Sequence, residues 1–394
     1  MTCRSTCPLL LVALLFLAPV GAFAQSLHAS DGSQDPPKLW IAVNLWGMMG
    51  LPDGQPEWSL DEKLSRLKAA GGFDAVDRYV APEPKSEAAV AELDAAAKKH
   101  GFRVGMHTHI DRLEQLDPAI ALARKVGTPY VDVMTGPYYV GEEETVRLLR
   151  ALTQRFKAEK IAMMLQTHRG LVTQDVLRTV SYTKQIPDLR FDLDLSHYVA
   201  AGELGDDFPP AATDAFDAIV ARAGMLDGRV SNGEQVQIDI GPAGDNPHAR
   251  RFAAVWKKTM AGWLRRAGKG DVLPFRIELG PPDYAIRDLS GREISDRWAQ
   301  TLVFRTLAER LFNEAVRETG TGLPHGGRGN GSRAPPRRVS TSAGRLPVCS
   351  LRCCWLSPWP SSPLPPSGCS SSSSPSRAGT TTWPGGPTSS ASTR

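Results

Sequence analysis

Two stretches decide the fold: Ile161-Ala-Met-Met-Leu-Gln166-Thr167-His168-Arg169-Gly170 and, starting 28 residues later, Leu189-Arg-Phe-Asp192-Leu-Asp194-Leu-Ser196-His197. Each is a short apolar run that turns polar at its C-terminal end. The step between them is the length of one strand–helix–strand unit. Outward in both directions the unit repeats. Strands are predicted at 39–44, 74–78, 102–107, 130–134, 161–166, 189–194, near 224–230 and at 275–278, with starts mostly 28 to 35 residues apart.

The intervening helices carry their own signals. Ser59 with Glu62 forms a capping box ahead of Leu64 and Leu67. Ser86 is placed to cap a helix whose Val90, Leu93 and Ala97 share one face and which stops at His100-Gly101. Further stripes are Val146, Leu149, Leu152 and Phe156, then Phe252, Trp256, Met260 and Trp263. A last helix from about 296 to 318 points Trp298, Leu302, Leu307 and Leu311 inward. Such Trp and Met positions read as core. Eight alternations without a glycine-rich nucleotide fingerprint favour a closed parallel (β/α)8 TIM barrel, a single domain over 38–319, rather than a doubly wound sheet.

The ends differ from this middle. Residues 1–24 carry Arg4, an apolar run from Leu9 to Val20 and a final Ala22-Phe23-Ala24, the pattern of a cleaved signal peptide. The run is too short to span a membrane, so the expectation is an exported protein, periplasmic or secreted, with no membrane span after cleavage. Residues 25–37 read as a polar leader. Beyond residue 320 the chain has no acid and no lysine but eight arginines, 17 serines and 12 prolines. Such a tail cannot bury enough apolar surface to order itself, and is expected to be disordered. Its composition also resembles coding sequence read in a shifted frame.

Charge follows the same division. Removing Arg4 and the tail arginines leaves 37 basic against 42 acidic residues, so the middle is acidic although the whole chain is +4. The basic balance is therefore no footprint for nucleic acid. All six cysteines lie in the two ends, which excludes a disulfide framework, a thiolate metal site and a cysteine nucleophile from the barrel. Oligomeric state leaves no mark in the sequence.

In this fold the active site collects at the C-terminal ends of the strands. There lie His107 and His109; Gln166, His168 and Arg169; Asp192, Asp194 and His197; Asp227 and Arg229; and Glu278 with Tyr284. Asp194 and His197 could simply cap a turn. Asp192 and Asp194 alternate and so face one side of a strand, and Asp194 is preferred as the one reaching the barrel axis. Carboxylates and imidazoles from several strands converge on one mouth, which is costly unless a cation or a polar substrate compensates.

The run Gln166-Thr-His-Arg-Gly, then Asp194-Leu-Ser-His197-Tyr198 with Glu203, then Glu278-Leu-Gly-Pro-Pro-x-Tyr284 resembles the xylose isomerase-like TIM-barrel superfamily. Within it the sugar phosphate isomerase/epimerase group is nearest, over about residues 38–318. The resemblance implies proton transfer next to a carbonyl of a small-molecule sugar or polyol. Relatives also include dehydratases and apurinic endonucleases, and a lyase step or a degenerate sugar-binding barrel are the alternatives. The family's metal quartet maps to Gln166, Asp194, Asp227 and Glu278, with Gln where the family has Glu and Asp where it has His. An all-oxygen set of this kind suits Mg²⁺ or Mn²⁺. An amide at Gln166 cannot take a proton, so the resemblance leaves Glu278 as base with His168 or His197 as partner. Substrate contacts are expected from His107, His109, Arg169, Arg229, Gln235, Gln237 and Tyr284.

Overall fold

Alternate residues along each strand go to opposite sides, and here the two sides differ in chemistry. A computed structural model describes residues 28–321 apart from 84–85 and 206–207. The expected signal segment, residues 25–27 of the leader and the tail from 322 onward lie outside the described residues. After a two-residue strand β1 (Ala29–Ser30) come β2 (Lys38–Asn44), β3 (Ala75–Tyr79), β4 (Arg103–His109), β5 (Val131–Met134), β6 (Met163–Gln166), β7 (Phe191–Leu193), β8 (Ala223–Gly228) and β9 (Asp271–Ile277). Strands β2 to β9 pair in parallel, each with its sequence neighbour, and β9 pairs with β2. The sheet is closed into an eight-stranded barrel.

Outward-facing residues such as Ile41, Val43, Val131, Val133, Leu165, Phe275 and Ile277 are buried under the helices. These are α1 (Leu60–Ala70), α2 (Glu87–His100), α3 (Leu116–Val126), α4 (Glu142–Ala158), α5 (Val176–Gln185), α6 (Leu195–Ala201), α7 (Pro210–Val220), α8 (Pro247–Leu264) and α9 (Arg297–Thr319). Ser59 and Glu62 make the expected reciprocal cap of α1. Ser86 precedes α2 but makes no side-chain cap bond, because its φ of −77° and ψ of −11° already belong to the helical turn rather than to an extended cap. In α9 the inward face is Phe304, Leu307, Ala308, Leu311 and Ala315. Trp298 and Leu302, expected inward, are only partly buried, and Trp298 meets Trp58 edge-on at 5.8 Å instead.

The leader is more structured than a polar spacer. Ala29 and Ser30 pair antiparallel with Val272 and Asp271 of β9. Trp263 donates its indole N–H to His28 Nδ1 at 3.1 Å. Ala29 thereby joins Trp40, Tyr130, Met164, Met225 and Val272 in a buried apolar cluster separate from the helix-facing core. These residues occupy inward-facing positions near the strand starts, and they form the barrel's floor.

Candidate active site

Above the floor, several inward positions are charged: Asp132 and Asp227 lie two residues beyond Tyr130 and Met225, and Arg276 lies four beyond Val272. Arg276 of β9 is completely buried and donates from every nitrogen. Its Nε and Nη2 hold Asp227 Oδ1 and Oδ2 at 2.7 Å each, Nη2 also reaches Asp192 Oδ2 at 2.6 Å, and Nη1 reaches Asp132 Oδ2 at 2.7 Å. Asp77 completes the ring, with Arg276 Nη1 at 3.6 Å and the Tyr130 hydroxyl donating to its Oδ1 at 2.6 Å. Only glycine fits opposite this pair, since a Cβ on Gly105 would lie 2.2 Å from Asp77 Oδ1.

One guanidinium does not balance four carboxyls in a dry interior, and protons settle the difference. Burial raises Asp77 to about 6 and Asp227 to about 7; Arg276 pulls both back, and the Glu278 charge pushes Asp227 further. Asp192 is raised well above the usual carboxylate range by burial, with the neighbouring carboxylates adding to it. Burial also opposes ionisation of Asp132, but Arg276 and His107 outweigh it and hold that carboxyl low.

The next tier forms the mouth, again two residues along: Glu278 above Arg276, Asp194 above Asp192, Arg229 above Asp227. Arg229 is fully buried, with Nε donating to Ser196 Oγ at 3.2 Å and Nη2 to Glu278 Oε2 at 3.0 Å and to Asp194 Oδ2. Its guanidinium lies over the Tyr284 ring at 5.1 Å, and its Nη1 has no partner. Asn44 donates to Glu278 Oε1 at 2.6 Å. Burial would raise Asp194, yet the Arg229 charge and bonds from His197 and Ser196 hold it well below the usual range.

A cavity of about 220 Å³ opens above this tier, lined by Asn44, Gln166, His168, Arg229, Glu278 and Tyr284 together with His107 and an aromatic wall of Trp46 and Tyr79. His168 donates its Nδ1–H to the Arg169 carbonyl, which leaves Nε2 as the lone-pair nitrogen, 3.5 Å from the Tyr284 hydroxyl. Burial, and then the His197 and Arg229 charges, push His168 down to about 3, so it is neutral at ordinary pH. His197 lies against it with ring centroids 3.8 Å apart and is likewise lowered by burial.

The sequence-predicted residues therefore separate. Gln166, His168, Arg229, Glu278, Tyr284 and His107 meet at the cavity. Asp194, His197 and Asp227 lie buried behind them. Asp194 also caps α6, accepting from Ser196 N at 3.0 Å, so the capping reading holds for it while it lies beside Arg229 at the mouth. The preference for Asp194 over Asp192 is corrected: both point inward, at different depths, because neither departs from the strand's alternation. Gln237 is not at the cavity; its amide grips both backbone groups of Gly280, at 2.6 and 3.1 Å, and so fixes the loop after β9. Gln235 is exposed, His109 pairs with Asp111 at 2.9 Å, and Arg169 packs over Tyr284 at 5.5 Å. Asn44, Asp77, Asp132 and Arg276 were not singled out from the sequence. Their signal was a polar or charged residue at an inward position, two before or level with a mouth residue.

Asp194, Asp227 and Glu278 each bring an oxygen within 4.8 Å of the others, close enough for a buried acidic triad to share a metal ion. The donors around it are a different matter. All six carboxylate oxygens of the triad already accept hydrogen bonds: from Ser196 and Arg229 on Asp194, from Arg276 and Gln166 on Asp227, and from Asn44, Arg229 and Gln166 on Glu278. Gln166 turns its NH₂ toward Asp227 and Glu278 at 3.2 and 3.3 Å, leaving Oε1 without a partner. With Arg229 in place, the set does not fit a divalent ion.

A closed parallel (β/α)8 barrel with a buried ionic mouth is the class that fold and site define. No protein-family profile and no curated protein matches the chain. Among solved structures, it is similar to a xylose isomerase-like TIM barrel protein from Mycobacterium smegmatis in complex with magnesium, at 14% identity over 71% of this chain and 98% of that one, with a TM-score of 0.47. It is also similar to D-allulose 3-epimerase from Methylomonas sp., at 15% identity over 71% and 99%, with a TM-score of 0.46.

Proposed function

We propose that the protein moves a proton at the carbon next to the carbonyl of a small sugar or related keto-polyol. The observation that carries this is the meeting of Glu278, His168 and Arg229 at one cavity, with His168 Nε2 carrying the lone pair and Arg229 as a buried cation beside Glu278. Of the two Glu278 oxygens, Oε2 accepts from Arg229 and Gln166 while Oε1 has Asn44 alone, and Oε1 takes the carbon-bound proton. Negative charge then develops on the substrate oxygen, where Arg229 supplies a fixed cationic donor. His168, neutral and lone-pair-first toward the cavity, exchanges the oxygen-bound proton. Gln166 cannot act as a second base, which favours one-base isomerisation over two-base epimerisation. Trp46 and Tyr79 offer flat apolar walls for a sugar's C–H face. Export to the periplasm or beyond, proposed from residues 1–24, favours a free rather than a phosphorylated sugar.

The test is deuterium uptake from heavy water into a panel of ketoses. Wild type should label the carbon beside the carbonyl, and Glu278→Gln should lose about 10²-fold or more. Because His168 titrates at about 3, no acid limb should fall near pH 6.5. Absence of labelling from every ketose would end this reading in favour of a lyase or a binding barrel.

A further inference from the structure

We propose that Arg229 is a built-in cation that takes the place of a divalent ion, so that the barrel mouth excludes metal. This is a binding property and stands or falls apart from the proton-transfer reading. Oxygen ligands hold Mg²⁺ at roughly 2.0–2.1 Å. A cation bridging Asp194 Oδ2 and Glu278 Oε2 would therefore fall on Arg229 Nη2, which already touches the first and lies 3.0 Å from the second. Overlap and like-charge repulsion both forbid the pair.

Arg229 is not a side chain that could swing out. Its Nε is fixed by Ser196, its face by Tyr284 and its Nη2 additionally by contact with His197 Nε2 at 3.1 Å. The substitution of charge is also local and complete at that point. The third carboxyl of the triad, Asp227, gives both its oxygens to Arg276, so only Asp194 and Glu278 face the shared position. Gln166 closes the arrangement by presenting donors, where a metal would call for an acceptor. The whole first sphere is thus oriented toward a hydrogen-bonding cation.

The experiment titrates Mn²⁺ into the full-length protein and reads free Mn²⁺ by its electron paramagnetic resonance signal. Wild type should leave the signal unchanged, and so should Arg229→Lys, which keeps the charge. Arg229→Ala should bind about one equivalent at least tenfold more tightly than wild type, as removal of one adjacent like charge requires. Uptake of one equivalent by wild type, with no gain in Arg229→Ala, overturns the proposal. Should Arg229→Ala fail to fold, the melting temperature of wild type decides: it should be the same with Mg²⁺, Mn²⁺ or a chelator, and a rise of several degrees with either ion overturns the proposal.

Discussion

Arg276 and Arg229 are buried guanidiniums on adjoining strands of one barrel, a single tier apart, and they have different surroundings. Arg276 has four aspartates around it, Glu278 3.9 Å away, and no nitrogen left over. Arg229 has two carboxylates, an aromatic face, and one nitrogen directed at nothing in the protein. The deeper tier settles its charge internally, partly with protons; the upper one leaves a buried donor without a partner. The same residue type thus serves as a pillar below and, under the proposed function, as a working group above, and depth along the strand separates the two settings.

The largest expected effect probes the pillar. Arg276→Met strands several carboxyls in a dry interior and should cost about 3–5 kcal/mol or prevent folding. Arg229→Met, whose partner Glu278 lines the cavity and can draw water from it, should cost less than Arg276→Met. Denaturant unfolding of both checks this, and the contrast breaks if the two variants are equally destabilised.

A smaller effect concerns the protons of the lower tier. Asp227 sits at about 7 in the fold against 3.8 ordinarily, so the folded state binds the extra proton between those values. Its stabilising contribution is complete below pH 4 and is lost as pH rises through about 7, by at most about 1.4 kcal/mol per pH unit. His168 and His197 act in the opposite sense, with lowered values whose contribution is present above pH 6.5 and lost as pH falls. The difference in stability between wild type and Asp227→Asn, followed from pH 4 to 8, cancels the histidines and should decline toward alkaline pH. A flat difference would mean Asp227 is ionised throughout. The smallest effect belongs to the mouth. Tyr284→Phe keeps the ring over Arg229 and removes only a 3.5 Å contact to His168, so ketose labelling should fall by less than about 1 kcal/mol equivalent.

The barrel was legible because its strands are apolar on the outward face, where Ile41, Val133 and Phe275 meet helices, and because helix caps such as Ser59 punctuate the repeat. The mouth was legible where polar residues end a strand, as at Gln166 and Glu278. The lower tier was not. Arg276, Asp132 and Asp77 sit inside runs that read as buried strand, and a single charge there gives no sign of its partner. Which charges meet depends on the stagger of the closed sheet, set by pairings such as Asp227 with Arg276 across β8 and β9. Period-two alternation applied to every strand, as it was to Asp192 and Asp194, would have marked the tier without identifying its contacts. Gln237 shows the reverse error, a loop amide that the sequence offers to a ligand but the backbone of Gly280 claims.

The short strand at Ala29–Ser30 has a geometrical corollary for handling the molecule. It fastens the chain beneath the floor through Val272 and Trp263, on the side remote from the cavity. Helix α9, which begins beside the mouth with Arg297 bonded to Met49 O at 2.8 Å, runs 23 residues back toward that same side. The described chain therefore enters and leaves at one pole. A fluorophore placed on the described chain at either of these points would report from the pole opposite the cavity.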